Sequence, residues 1–339
     1  MASTAPPAGR IGRDPASAPS LLVALPALNE ERTVAEVVRA VPREIPGIGA
    51  VEVVVVDDGS SDRTAEEARA AGAQVIRHPQ PRGVGAAFHS ALAHGIERGA
   101  EFIVSIDADG QFDPADIPAL VRPVVAGEAD FATASRFADP ALVPDMPWIK
   151  LWGNRMMSRL ISGLAGQTFH DVSCGMRCYS RDAALRLTLT ASFTYTQEVV
   201  LNLAFKQMRI VEVPIRVRGE RQHGESRVAG SLWRYGFRTA RIAFRSFRDY
   251  KPMRFFGGLA GALMIPAAGL GVFLLYHYVT TGSFSPHKWA GFTALGLTLM
   301  ALMMLQLGMT GAMLARHRVY LEEVLYRQRA DQRTQRAAE

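Results

Sequence analysis

Asp107-Ala108-Asp109-Gly110-Gln111 carries the strongest chemical signal in this 339-residue chain. Two carboxylates and an amide, each separated by a single residue, are hard oxygen donors of the kind a divalent cation such as Mg²⁺ or Mn²⁺ prefers. The motif follows the apolar run Phe102–Ile106, which reads as a buried parallel strand. Alternation continued past that strand would put Asp107, Asp109 and Gln111 on one side, with Ala108 and Gly110 on the other. The carboxyl ends of central strands are also where open α/β sheets bind ligands. A solvated acidic turn is the competing explanation, because Asp113-Pro114 has the form of a helix start.

Two further motifs have the same placement. Pro26-Ala27-Leu28-Asn29-Glu30 follows the apolar run Leu21–Leu25, and Asp57-Asp58-Gly59-Ser60-Ser61-Asp62 follows Val51–Val56. Acids at such positions can accept hydrogen bonds from a ribose or a base edge, although acids after strands also cap helices. Three acidic motifs on one edge of a sheet favour a binding site over a coincidence of caps.

The elements that must position these residues alternate. Strands are expected at 21–25, 51–56, 74–78, 102–106 and 130–134, with helices over 30–40 (Asn29 as N-cap), 64–71 and 83–98. Strands interleaved with such helices define βαβ units and a mainly parallel sheet. Residues 1–20, rich in Ala, Pro, Ser and Gly, read as a disordered tail and lack the apolar core of a signal peptide. Cys174 and Cys178 are the only cysteines, too few for a structural zinc site or a disulfide framework.

Beyond Arg254 the composition changes. The stretches 255–279 and 289–315 contain no Asp, Glu, Lys or Arg, and each exceeds the roughly 20 residues that span a bilayer core. They form a hairpin, 253–316, joined by a short loop. Arg254, Arg316 and Arg318 flank its outer ends, so the positive-inside rule puts the catalytic domain, 21–230, and the basic tail, 317–339, in the cytoplasm. Net charge is +6, and the excess gathers in 231–252 at the hairpin's edge. There Trp233, Phe237, Ala240, Phe244 and Phe247 form one helical stripe; Arg234, Arg238, Arg241, Arg245 and Arg248 form the next. Such a helix lies in a membrane interface, rings among acyl chains and guanidiniums among lipid phosphates. Nucleic-acid binding is disfavoured by the single aromatic stripe. The small-residue faces Gly257-Gly258-Gly261 and Gly291-Gly296 permit close helix packing within a chain or between chains, and thus a homo-oligomer.

Taken together, residues 21–227 resemble glycosyltransferase family 2 of the glycosyltransferase-A fold, and within it the dolichyl- or polyprenyl-phosphate sugar synthases, of the dolichyl-phosphate mannose synthase kind. The residues carrying this likeness are His78-Pro-Gln-Pro-Arg82-Gly83-Val-Gly85, the Asp107–Gln111 motif, Ser135-Arg136-Phe137, Asp171-Val-Ser-Cys-Gly175-Met-Arg177 and His223-Gly224-Glu225-Ser226-Arg227. The fold implied is a Rossmann-like, mainly parallel sheet with flanking helices, followed by the interfacial helix and the transmembrane hairpin. The resemblance implies a metal held by Asp107, Asp109 and Gln111, and a nucleotide sugar bound by Pro26, Leu28, Asn29, Glu30, Asp57, Asp58, Gly85, Asp107, Ala108 and Asp109. It also implies an acceptor phosphate held by Ser135, Arg136 and Arg227, with Arg221 a rival for the last. Glu198 stands where other members place an acid. The Gln-x-x-Arg-Trp motif of processive polysaccharide synthases is absent.

The expected reaction moves one hexose from a donor of the GDP-mannose or UDP-glucose type to polyprenyl phosphate on the cytoplasmic face, with inversion. Asp109, Arg136, Arg227 and Glu198 are its catalytic candidates. Transfer to a hydroxyl-bearing membrane lipid is one alternative and would need a general base such as Glu198. A non-catalytic membrane scaffold that retains a nucleotide-sugar-binding fold is the other.

Overall fold

The computed structural model describes residues 19–144, 146, 148–188, 195–218, 241, 244–245 and 247–336. Of the tail expected over 1–20, residues 1–18 lie outside the described residues and Ser20 already belongs to the first strand; Arg221, Arg227, Trp233, Arg234, Phe237, Arg238 and Ala240 also lie outside the described residues. The chain divides into two compact units, Met1–Thr239 with Tyr326–Glu339, and Ala240–Leu325.

The first unit is built on a seven-stranded sheet. Its strands are β1 (Ser20–Ala27), β2 (Ala50–Asp57), β3 (Gln74–Arg77), β4 (Phe102–Ser105), β5 (Phe131–Ser135), β6 (Arg177–Ser180) and β7 (Ile210–Pro214). The order is β3-β2-β1-β4-β6-β5-β7. Only β6 runs antiparallel, wedged between β4 and β5. The sheet is therefore mainly parallel, as expected, with β6 and β7 added to the strands legible in the sequence. Val23, Val55, Val104, Ile106 and Ala132 stand in one of its cores, packed with Val34 and Val38 of helix α1 (Val34–Ala40) and Leu120 of α4 (Ile117–Val125). Among the described residues this unit also has α2 (Thr64–Ala70), α3 (Val84–Glu97), α5 (Trp148–Ala165), α6 (Arg181–Arg186) and α7 (Tyr195–Phe205).

A proline sets where the sheet opens. The last bond joining β1 to the β4 side runs from Ile106 N to Ala24 O, 3.0 Å. Pro26, two residues on, faces the same side and has no N–H to continue the ladder. Beyond that point the two chains are free to become loops. On the other side β1 stays with β2 to the register pair Ala27–Asp57, and Asp58 N still reaches Ala27 O at 2.9 Å.

One helix begins later than the sequence suggests. Asn29 is not an N-cap: it has φ +56°, and its Oδ1 accepts from Ser61 N at 2.9 Å. Residues 31–33 form a turn and α1 starts at Val34.

The second unit contains α8 (Pro252–Thr281) and, up to Leu325, most of α9 (Lys288–Arg336), two apolar helices long enough to cross a membrane. Residues 317–336, expected as a separate tail, thus continue the second helix. Their close contacts do not use all of the expected glycines. A Cβ on Gly291 would meet Leu274, and one on Gly311 would come within 2.8 Å of Pro252. Gly257, Gly258, Gly261 and Gly296 face open space instead. Phe244 and Phe247, from the expected aromatic stripe, set their rings against Phe255 at 4.9 and 6.1 Å. Arg248 pairs with Asp249 at 2.8 Å.

Gly59 and Gly72 separate two backbone costs. Both have positive φ, +77° and +92°, but a Cβ on Gly59 would lie 2.7 Å from the backbone carbon of Gln80, whereas Gly72 faces open space. Gly72→Ala should cost about 1 kcal/mol. Gly59→Ala should cost about 2–3 kcal/mol, because the Gln80-Pro81 backbone must move as well. Thermal unfolding of the two variants in detergent checks the order; equal losses would refute the steric account.

Candidate active site

The loops leaving β1, β2 and β4 are tied to one another by side chains that accept or donate to backbone. Ser60 Oγ accepts from Asn29 N (2.9 Å), and Thr64 Oγ1 from Glu30 N (2.8 Å). Thr33 Oγ1, buried, donates to Ala108 O at 2.7 Å, fastening the loop after β1 to the metal-type motif. The loops that carry Pro26, Leu28, Asn29 and Glu30, Asp57 and Asp58, and Asp107 and Ala108 are therefore bonded to one another at one sheet edge.

Asp107–Gln111 is a turn, with φ +73° at Gly110, so strand alternation does not extend through it. Asp109 is buried, and its Oδ1 accepts from Gln111 N at 3.1 Å. Asp107 is half-buried beneath Gly175, where any Cβ would collide with its Oδ2. Among the described residues no group of three or more His, Cys, Asp or Glu side chains is placed to hold a metal. The local set is two carboxylates and an amide, a donor chemistry that fits a hard dication. The space kept by Gly175 leaves the Asp107 carboxylate its place in that set.

The neighbouring acid pair does different work. Asp57 is fully buried; its Oδ1 accepts from Ser60 N (2.8 Å) and its Oδ2 pairs with Arg77 Nε (3.2 Å). Asp58 accepts from Arg82 N (3.0 Å), Gly83 N (2.7 Å) and His78 Nδ1 (2.7 Å), while His78 Nε2 meets Ser90 Oγ at 2.8 Å. Asp58 thus holds the glycine-bearing loop in place, and Gly83, at φ +97°, turns it into α3, where Gly85 is buried in the first turn. Neither set of contacts fills all the lone pairs of its carboxylate.

Arg136 leaves β5 and is clamped by Asp171, with Nε–Oδ2 2.6 Å and Nη2–Oδ1 2.9 Å; Nη2 also donates to Ser173 Oγ at 2.7 Å. Burial works against the charged form of Asp171, but the Arg136 pair and its hydrogen bonds outweigh it and hold the carboxyl below the usual carboxylate range. Ser135 is buried and its Oγ accepts from Ala138 N at 3.2 Å, shaping the turn that presents Arg136.

Arg177 is a residue that sequence reasoning passed over as a bare motif position. Its buried guanidinium donates to the carbonyls of Cys174 (2.8 Å), Val172 (3.1 Å) and Thr196 (2.7 Å). It fixes the loop that carries Gly175 and anchors the first turn of α7, where Glu198 sits half-buried. Arg218 was also missed. Its backbone N donates to Gln111 O (3.0 Å) and its Nη1 approaches Gly110 O (3.4 Å), bringing an exposed cation to the metal-type turn. One arginine among three, Arg216, Arg218 and Arg221, after an edge strand gives no sequence signal of that approach. Cys174 and Cys178 are buried, with the Cys174 thiol pushed up to about 12 by burial, so neither is a nucleophile at neutral pH.

A mainly parallel sheet with an acidic turn at the carboxyl end of β4 is the frame of a glycosyltransferase-A enzyme, and the chain belongs to glycosyl transferase family 2. The family's sequence profile matches residues 22–188. The chain is 31% identical over 252 residues to polyprenol monophosphomannose synthase of Mycolicibacterium smegmatis, covering 70% of this chain and 93% of that one. It is 30% identical over 212 residues to the UDP-N-acetylglucosamine–dolichyl-phosphate N-acetylglucosaminyltransferase of Methanococcus voltae, covering 57% and 83%. In fold it is similar to Mycobacterium tuberculosis glucosyl-3-phosphoglycerate synthase, solved with Mn²⁺, UDP-glucose and phosphoglyceric acid (TM-score 0.53, 23% identity, 66% of this chain and 79% of that chain).

The Asp171 clamp makes a pH-resolved prediction. Asp171→Asn leaves Arg136 without its carboxylate and should destabilise the protein by about 3 kcal/mol near neutral pH. A depressed folded pKa adds stability above the unfolded value, about 3.9 for Asp, and that stability is lost as pH falls through the folded value. The difference in thermal midpoint between the parent and Asp171→Asn should therefore be constant above about pH 5 and shrink in more acid solution. A difference that grew on acidification would overturn the assignment.

Proposed function

We propose that the enzyme transfers a single hexose from a nucleotide sugar, of the GDP-mannose or UDP-glucose type, to polyprenyl phosphate at the cytoplasmic membrane face, with inversion. The observation that carries this reading is the pairing of a two-carboxylate turn at the sheet edge with two long apolar helices in one chain. The similarity to polyprenol monophosphomannose synthase supports the same acceptor class.

Asp107, Asp109 and Gln111 would hold Mg²⁺ or Mn²⁺, which when bound neutralises the donor diphosphate and the charge that grows on it as it leaves. Asp57 and Asp58 act on the donor side by fixing the loops at that sheet edge, and Arg218 adds positive charge beside the turn. An ionised acceptor-phosphate oxygen forms the new bond to the anomeric carbon, while the bond to the nucleoside diphosphate breaks and takes its electron pair away. Because that oxygen is already an anion at neutral pH, no strong general base is required. Arg136, oriented by Asp171, offsets repulsion between the two anionic substrates. Arg227, or Arg221, would share that work. With both substrates held, the enzyme needs only to orient and shield.

The deciding experiment is transfer of label from a panel of radiolabelled nucleotide sugars into the lipid phase, using purified enzyme, Mg²⁺ or Mn²⁺ and polyprenyl phosphate. One donor should be used, with product abolished by EDTA. Asp109→Asn keeps the cap acceptor for Gln111 N but removes the charge, and should lower turnover by about 100-fold or more. Glu198→Gln should retain transfer to the phosphate; transfer instead to a hydroxyl-bearing lipid, abolished by the same substitution, would favour the hydroxyl acceptor that needs a base. Metal-dependent nucleotide binding without transfer to any lipid would favour the scaffold reading.

A further inference from the structure

Helix α5 turns large apolar side chains outward. Trp148, Trp152, Met156 and Leu160 are 75%, 57%, 46% and 41% exposed, and they recur at every fourth residue. Each step carries the stripe only about 40° round the helix, so they make one slanting apolar face. Arg155 and Arg159, both exposed, run along its flank, and no Asp or Glu occurs anywhere in 148–165. The opposite side is anchored in the domain. Ile161 is fully buried, and buried Ser158 donates to His170 O at 2.9 Å. Asn154 Oδ1 lies 3.2 Å from Ser173 Oγ, a partner of Arg136.

We infer that the outer face of α5 is a bilayer-docking surface: its indoles and aliphatic chains enter the acyl boundary of an anionic leaflet while Arg155 and Arg159 bind lipid phosphates. Tryptophan is the side chain best suited to that boundary. A cationic flank without acids complements an anionic surface and is not what a self-association face requires. This inference rests on the membrane reading of the chain and adds a contact made by the catalytic domain itself. Seating α5 on lipid would hold the Ser173–Asp171–Arg136 group at the level of a lipid-borne phosphate.

Trp148, Trp152, Trp233 and Trp289 are the chain's four tryptophans, so fluorescence separates the surfaces. The full chain is reconstituted into phosphatidylcholine–phosphatidylglycerol vesicles, with and without bromine on the upper acyl chain. Trp233→Phe/Trp289→Phe reports α5, and Trp148→Phe/Trp152→Phe/Trp233→Phe reports the start of α9. Bromolipid should quench both, and quenching of the α5 pair should weaken when phosphatidylglycerol is omitted. If only Trp289 is quenched, the α5 inference is overturned while the membrane reading stands. Iodide quenching of the pair would then identify a water-facing surface, and protection from both quenchers a protein contact. If Trp289 is unquenched as well, the membrane reading and this inference fall together.

Discussion

The carboxyl edge of this sheet is governed by one constraint: the backbone N–H groups of several irregular loops need acceptors where strands no longer supply them. Ser60, Thr64, Asp58 and Asp171 meet it, each through a side-chain oxygen accepting from a loop that is distant in sequence. Thr33 adds the reverse arrangement by donating to Ala108 O. Remove these bonds and the sheet survives, because its ladders lie elsewhere; what is lost is the relative placement of the acidic turn, the glycine-bearing loop and Arg136. Polar residues at this edge thus divide into those that build the site and those left to act on substrate. Asp57 and Asp58 belong mainly to the first group.

The segment 169–177 links the parts most tightly. Phe169 N and His170 O bind Ser162 and Ser158 of α5. Asp171 clamps Arg136; Gly175 leaves room for the Asp107 carboxylate; Arg177 holds the start of α7, on which Glu198 sits. A short stretch of chain therefore couples the candidate acceptor arginine, the metal-type turn and a third acid. Its rigidity comes from buried, charge-assisted bonds, which lose much when a single partner is removed. Arg177 is the extreme case, since a fully buried guanidinium satisfied by three carbonyls cannot be exchanged for lysine without stranding acceptors.

Much of this was legible in the sequence, and what was not has identifiable causes. β1, β2 and β4 are β-branched apolar runs and declare themselves. β6 does not: Arg177-Cys-Tyr-Ser looks like a loop, because its charge is buried by carbonyls that only the fold brings together. The start of α1 was misplaced since Asn29 favours a cap by type, whereas a neighbouring loop offers it a better-placed donor in Ser61. The acidic motifs were found at the right edge, but spacing alone does not say which carboxylates are consumed by backbone. Alternation likewise failed at Gly110, where the chain turns.

Helix α5 shows the same limit from the other direction. An apolar stripe at four-residue spacing ordinarily marks the buried face of a helix. Here the buried face is set instead by Ile161, Ser158 and Asn154, since serine and asparagine find partners in 170–173. Two faces of one helix were eligible for the core, and hydrogen bonding chose the more polar. Burying the tryptophan face inward would strand those polar groups and the Asp171 clamp they support, at a cost of about 1–3 kcal/mol for each unsatisfied group. The outward tryptophans are therefore the consequence of holding Arg136 in place, and a surface that must meet lipid can accept that consequence where one in water would not.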